Sequence, residues 1–147
     1  MTLDLTPLGP DFGARITDVR LDDAMNAAVF EEIRAAFETH SVLVLPDLPL
    51  TDDEQIAFGE RFGPLETTIS ANPARGTVFA RQSNIDMASG DLIGSEDRRM
   101  HYQKANMLWH ADSTYKAVPS LCSLLSAREV PPEGGATEFA STRTVYE

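Results

Sequence analysis

Apolar and polar positions alternate from Leu3 to Leu8 and again from Ala14 to Leu21, around breaks at Gly9-Pro10 and Phe12-Gly13. Period-two alternation predicts two short, half-buried strands. The period then changes, because Met25, Val29, Ile33 and Phe37 recur every fourth position with Ala28 and Ala36 on the same side. This predicts one amphipathic helix, capped by Asp22 or Asp23 and ending near His40. Ser41-Val-Leu-Val-Leu-Pro46 is a continuous apolar run closed by proline, which predicts a fully buried strand. Thr51-Asp-Asp-Glu54 has the form of a capping box, and Ile56, Phe62 and Gly63-Pro64 outline a short helix and its stop.

Residues 65–105 carry little periodicity. Turn signals at Asn72-Pro73, Arg75-Gly76 and Ser89-Gly90 surround only two strand-like pieces, Thr77-Val-Phe-Ala80 and Asn84-Ile85. A long irregular segment inside a compact domain predicts a lid or binding loop. From Leu108 the pattern predicts strand again, over 108–112, 121–130 and 137–140, with Pro131-Pro132 and Gly134-Gly135 as turns. Ser141 or Thr142 can cap the first turns of a helix running to Glu147, which the chain leaves too short to bury a face. The expected class is mixed α and β with a mainly β core, a sandwich or barrel with helices packed outside it.

Composition adds limits. A length of 147 residues, 42% of them hydrophobic, suits one domain with a core. Twelve basic against 23 acidic residues give a net charge of −11, a field that repels phosphate backbones and anionic lipid surfaces, so neither nucleic acid nor membrane is an expected partner. The single cysteine, Cys122, sits between apolar residues and is expected to be a buried structural thiol. No apolar run reaches membrane-span length, and Met-Thr-Leu-Asp does not open a signal peptide, which makes the cytoplasm the expected location.

The chemistry concentrates in Asn106-Met-Leu-Trp-His110-Ala-Asp112-Ser-Thr-Tyr115. Two residues apart on an extended segment, His110 and Asp112 point the same way and can offer one metal ion an imidazole nitrogen and a carboxylate oxygen. That is two-thirds of the 2-His-1-carboxylate triad that leaves positions open on non-haem Fe(II). His40 at the end of the predicted helix and His101 in the charged loop are expected to be non-ligands. Trp109 and Tyr115 read as core or pocket-wall aromatics, and Lys104 and Lys116 as solvated. Arg98-Arg99 reads as neutralised by Glu96-Asp97.

Around this motif, Asn-x-x-Trp-His-x-Asp-Ser, Pro119, Leu125-Ser-Ala-Arg128, Val130-Pro131, Gly134-Gly-x-Thr137 and Phe139-Ala140 stand in an order that resembles the taurine and 2,4-dichlorophenoxyacetate dioxygenase family. Looser similarity runs to the N-terminus through Gly13-Ala14, Val42-Leu-Val-Leu45, Phe58-Gly-x-Arg-Phe62-Gly63 and Ser83-Asn84. The resemblance implies an Fe(II)- and 2-oxoglutarate-dependent dioxygenase. Its fold would be a double-stranded β-helix, a cupin-like jelly-roll with buttressing helices, incomplete in this chain. Residues 1–147 would be the N-terminal portion of a single dioxygenase domain, with 65–105 as its active-site lid.

By the same resemblance His110 and Asp112 would ligate Fe(II), Thr137 would hydrogen-bond 2-oxoglutarate, and Asn106 would contact the substrate. A third ligand, a histidine, and an arginine partner for 2-oxoglutarate are expected beyond residue 147, so the chain alone is expected to be inactive. The substrate would be a small organic acid, aryloxyalkanoate- or sulfonate-like and anionic, hydroxylated with O2 while 2-oxoglutarate becomes succinate and carbon dioxide. Two other classes stay open: a non-catalytic carboxylate-binding relative, and a cupin-type metalloenzyme that does not use 2-oxoglutarate. A homo-oligomer stays open as well.

Overall fold

The computed structural model describes residues 3–67, 77–86 and 88–146. The turn signals at Asn72-Pro73 and Arg75-Gly76 lie outside the described residues. Two compact units divide the chain, one formed by Met1–Phe62 with Leu124–Glu147 and the other by Gly63–Ser123.

In the first unit β1 (Asp4–Pro7) pairs antiparallel with β2 (Ala14–Thr17), in the register Leu5 to Ile16 and Pro7 to Ala14. Alternation buries Ala14 and Ile16 on one face of β2 and leaves Arg15 outside, as the period-two pattern requires. Gly13 makes the approach to β2 with φ +83°, a left-handed conformation that costs glycine little. Its N–H donates to His40 O at 2.8 Å, tying the start of β2 to the end of the long helix.

The single helix expected after Asp22 is two. The first, α1 (Leu21–Met25), starts after Arg20, whose N–H donates to the Asp23 carboxylate, so Asp23 sits inside the helix rather than capping it. Asn26 then turns extended and its side chain accepts from Ala28 N at 3.0 Å, capping α2 (Ala27–His40). An asparagine competes for backbone bonds better than it continues a helix, and this breaks the fourfold pattern between Met25 and Val29. The predicted stop is correct. After His40, Ser41 takes φ +65° and its N–H donates to Phe37 O, closing the last turn.

β3 is shorter than expected, only Leu43–Val44, parallel to β2 at the edge of a sheet ordered β1-β2-β3. Val44 is 38% exposed, so the run is not fully buried: one side of β3 has no strand partner among the described residues. The capping box does form. Glu54 N donates to Thr51 Oγ1 and Thr51 N to Glu54 Oε2, which opens α3 (Asp52–Glu60).

The core of this unit joins Ile16 of β2, Val29, Phe30 and Ile33 of α2, and Phe58 of α3. Phe30, Phe58 and Phe62 meet edge to face, with ring centroids 4.9–6.2 Å apart. Such pairs contribute roughly 0.5–1.5 kcal/mol beyond their area. Arg61 covers the cluster, its guanidinium 4.4 Å from the Phe30 ring and donating to Met25 O at 2.6 Å. Arg128 fastens the returning segment to the start of α3, donating to Leu50 O, Asp52 Oδ1 and Gln55 Oε1.

Among the described residues the second unit contains one helix, α4 (Arg98–Asn106), where the sequence predicted irregular lid. Its residues lack an apolar stripe, which hid it. Its start signal was present, because the Asp97 side chain accepts from Arg99 N at 2.9 Å. Thr77–Ala80 is not a strand, and Ile85 makes only an isolated bridge to Leu92.

The segments 108–112, 121–130 and 137–140 carry no strand either. Strands require ladder partners, and the sheet among the described residues ends at β3. The first unit closes on α5 (Thr142–Tyr146), capped by Ser141 as expected, with no buried residue. The architecture is therefore mixed α and β with a small mixed sheet, and the two facing sheets of a jelly-roll do not form within the described residues.

Candidate metal centre

α4 ends at Asn106, and Met107 N and Leu108 N donate back to Lys104 O and Ala105 O at 3.2 Å, closing the last turn. The chain then runs irregularly through Trp109, His110 and Ala111 into a turn over 112–115. Although no strand forms, the same-side expectation holds for the pair itself: His110 Nε2 lies 3.3 Å from Asp112 Oδ1. Both side chains are open to solvent, 45% and 61% exposed.

The other ring nitrogen settles what Nε2 can do. His110 Nδ1 lies 2.6 Å from Leu108 O, and a carbonyl oxygen only accepts, so Nδ1 carries the proton. That leaves Nε2 as the nitrogen facing Asp112. Ser123 Oγ donates to Asp112 Oδ2 at 2.8 Å, which leaves Oδ1 as the oxygen facing the histidine. An imidazole held by a backbone carbonyl, beside a carboxylate held by a hydroxyl, is the donor set and outer support expected around a divalent first-row metal. The residues fit such an ion. Among the described residues no group of three or more His, Cys, Asp or Glu side chains could hold a metal ion.

The turn after Asp112 is anchored by a residue the sequence did not mark. Glu66 accepts from Ser113 Oγ at 2.7 Å and Ser120 Oγ at 2.5 Å, and pairs with Lys116 Nζ at 2.5 Å. Lys116 beside it, then the Ser120 and Ser113 hydroxyls, hold the Glu66 carboxyl down to about 2. Ser113 has φ +57°, a region that costs a non-glycine residue roughly 1–2 kcal/mol, and Lys116 N donates to Ser113 O at 3.0 Å within the same turn. Lys116, read as solvated, is thus committed to an ion pair. No local pattern announces this, because Glu66 lies far upstream in sequence.

Asn106 is half-buried, and its Nδ2 donates to Gln82 Oε1 at 2.9 Å. Gln103 Nε2 and Lys104 Nζ reach Arg81 O and Ser95 O, so α4 holds parts of the preceding loop. Arg99 pairs with Asp97 at 2.8 Å and Asp86 at 2.6 Å; it holds the Asp97 carboxyl at about 2 and lowers Asp86 as well. Neutralisation around Arg99 is therefore as the sequence suggested. Trp109 and Tyr115, read as core or pocket wall, are each 69% exposed, and Cys122 is only partly buried.

Thr137 belongs to the first unit. It follows Gly134 and Gly135, whose φ values of +74° and +70° are the left-handed conformations a tight turn needs. It lines a cavity of about 370 Å³ with Leu8, Phe12, Val42, Val44 and Phe139.

The family described as Taurine catabolism dioxygenase TauD, TfdA family matches residues 4–147. The chain belongs to the TauD, TfdA family. Two relatives in it are an alpha-ketoglutarate-dependent 2,4-dichlorophenoxyacetate dioxygenase of Cupriavidus pinatubonensis, 36% identical over 100% of this chain and 53% of the relative, and an (S)-phenoxypropionate/alpha-ketoglutarate-dioxygenase of Sphingobium herbicidovorans, 40% identical over 98% of this chain and 47% of the relative. The chain spans about half the length of the curated relatives it matches. Among solved structures, AAD-2 in complex with Mn(II) and N-oxalylglycine superposes with a TM-score of 0.71 at 24% identity, over 81% of this chain and 43% of that one. That similarity shows a shared fold.

Proposed function

We propose that the protein carrying this chain is an Fe(II)- and 2-oxoglutarate-dependent dioxygenase that hydroxylates a small, anionic, aryloxyalkanoate-like organic acid. The observation that carries this reading is the convergence of His110 Nε2 and Asp112 Oδ1 at 3.3 Å in a TauD, TfdA family chain. The relatives' names, which specify alpha-ketoglutarate with dichlorophenoxyacetate or phenoxypropionate, support the co-substrate and the substrate class. The fold would be the jelly-roll of the family, with this chain as the N-terminal part of one dioxygenase domain.

Bound iron and 2-oxoglutarate would supply the oxidation, consuming O2 and giving succinate and carbon dioxide. The residues of this chain would do the positioning. His110 and Asp112 would hold the iron, with Leu108 O orienting the imidazole and Ser123 the carboxylate. Thr137 would donate its hydroxyl proton to the distal carboxylate of 2-oxoglutarate, and a downstream arginine would form the charge-assisted partner. A third ligand, a histidine, is likewise assigned downstream of residue 147. Asn106, with its amide oriented by Gln82, would contact the substrate, and the region 65–105 would close over it as a lid.

Among the described residues no helix is long and apolar enough to cross a membrane, and the acidic charge disfavours polyanionic partners; the proposal places the enzyme in the cytoplasm. The deciding experiment is a screen of aryloxyalkanoates and sulfonates for stimulated succinate formation by the full-length protein with Fe(II), 2-oxoglutarate and ascorbate. An aryloxyalkanoate is expected to give the largest stimulation, with release of the phenol. Iron-bound protein that forms no succinate with any of them would return the site to carboxylate binding without turnover.

A further inference from the structure

We propose that Glu66 is a positioning residue for the metal centre: by gathering Ser113, Lys116 and Ser120 it fixes the turn that carries Asp112 into register with His110. This rests on the reading of His110 and Asp112 as metal ligands.

Three links converge on one carboxylate. Ser113 Oγ, Lys116 Nζ and Ser120 Oγ all reach Glu66 within 2.7 Å, and all three follow Asp112 within a single loop. The first is attached to the residue next to Asp112. That residue has φ +57°, so the direction in which Asp112 enters the turn depends on a backbone conformation that serine does not favour unaided. The Ser113 side chain is occupied by Glu66 and its carbonyl by Lys116 N, while Thr114 Oγ1 donates to Ala111 O, closing the turn from both sides. Beyond Ser120 the loop reaches Ser123, which donates to Asp112 Oδ2.

Glu66 thus acts on Asp112 by two routes, through the backbone at Ser113 and through the loop that delivers Ser123. A ligand held this way meets the metal with its orientation already set, whereas an exposed turn without Glu66 would sample others and weaken chelation.

The test is Mn(II) affinity of full-length protein, read by electron paramagnetic resonance titration, with folding checked by circular dichroism. Glu66→Ala is expected to weaken binding about ten- to a hundredfold, the range for loss of an outer-shell partner. Glu66→Gln should recover part of it, since the amide oxygen can take the place of Oε2 and accept from both hydroxyls. Arg128→Ala, which removes a side chain with three bonds to Leu50, Asp52 and Gln55, controls for general loosening and should stay within about threefold. Should Glu66→Ala fail to fold, Ser113→Ala decides, with a loss of about threefold or more expected. Wild-type affinity in folded Glu66→Ala or in Ser113→Ala, or an equal loss in Arg128→Ala, would overturn the inference. His110→Ala separates the two levels: if it keeps Mn(II), the ligand reading itself fails, and if it loses Mn(II) while Glu66→Ala does not, only the role of Glu66 fails.

Discussion

Ser123 Oγ donates to Asp112 Oδ2 at 2.8 Å, and Asp112 Oδ1 lies 3.3 Å from His110 Nε2. One carboxylate therefore has one oxygen committed to a hydroxyl and the other free to face the imidazole. If His110 and Asp112 are the ligands, His110→Ala or Asp112→Ala in the full-length protein should abolish iron binding and 2-oxoglutarate decarboxylation together, and Ser123→Ala should weaken iron binding about tenfold. Iron content after dialysis, measured against protein concentration, reads this directly. Stoichiometric iron in the double variant would rule the assignment out.

Thr137 follows the Gly134-Gly135 turn and lines the cavity beside Val42 and Phe139. Thr137→Ala should weaken 2-oxoglutarate binding by about 1.5–3 kcal/mol, the range for a hydrogen bond to a charged group, and leave iron binding intact. Anaerobic titration of the metal-to-ligand charge-transfer absorption gives the dissociation constant. An unchanged value would make Thr137 an ordinary loop threonine.

Acid should unfasten the turn at Glu66. Its carboxyl is held at about 2, below the ordinary value of 4.5, so the folded state binds fewer protons than the unfolded state between these values. The stabilisation is complete above about pH 4.5 and disappears as pH falls toward 2. Because the pair is near the surface, its size should stay within about 1 kcal/mol. Urea unfolding of wild type and Glu66→Gln at pH 6 and pH 3 should show the wild-type advantage shrinking at the lower pH; a constant gap would refute the linkage. Asp97 and Asp86 are lowered by Arg99 and titrate in both proteins, so they cancel in the comparison.

Within the proposed lid, the described parts of 86–104 are tied by Arg99 to Asp86 and Asp97 and by Lys104 to Ser95 O. Arg99→Ala should speed amide exchange over 88–93 in the metal-only protein, and substrate should slow exchange there in wild type. Hydrogen exchange with mass spectrometry resolves both. Strong, equal protection in all states would describe a fixed loop.

Phe58 is 2% exposed and meets Phe30 and Phe62 edge to face. Phe58→Ala should cost about 3–5 kcal/mol, the usual penalty for emptying a buried aromatic site. Chemical denaturation of the two proteins measures it, and a loss under 1 kcal/mol would mean that the cluster relaxes into the space.

What the sequence determined by itself was local. Alternation at 4–7 and 14–17 produced β1 and β2, the Thr51-Asp-Asp-Glu54 box opened α3, and the fourfold apolar stripe ended at His40 as expected. In each of these a backbone preference and a side-chain period agree within one turn or one pleat. The spacing of His110 and Asp112 also sufficed to bring them together, since two residues admit few separations, and family membership was legible in the order of the motifs from Asn106 to Ala140.

Two breaks were local but hidden from the apolar period, the Asn26 side chain reaching Ala28 N to split the first helix and the Asp97 cap opening α4. Tertiary structure decided the rest, as where Gln103 and Lys104 of α4 bond to the loop before it. The apolar runs after Leu108 stayed irregular because a strand exists only where a neighbour offers its ladder. Glu66 was invisible for the same reason: its three partners lie 47 to 54 residues away, and a hydrogen bond across that distance depends on how the chain closes and not on any period within it.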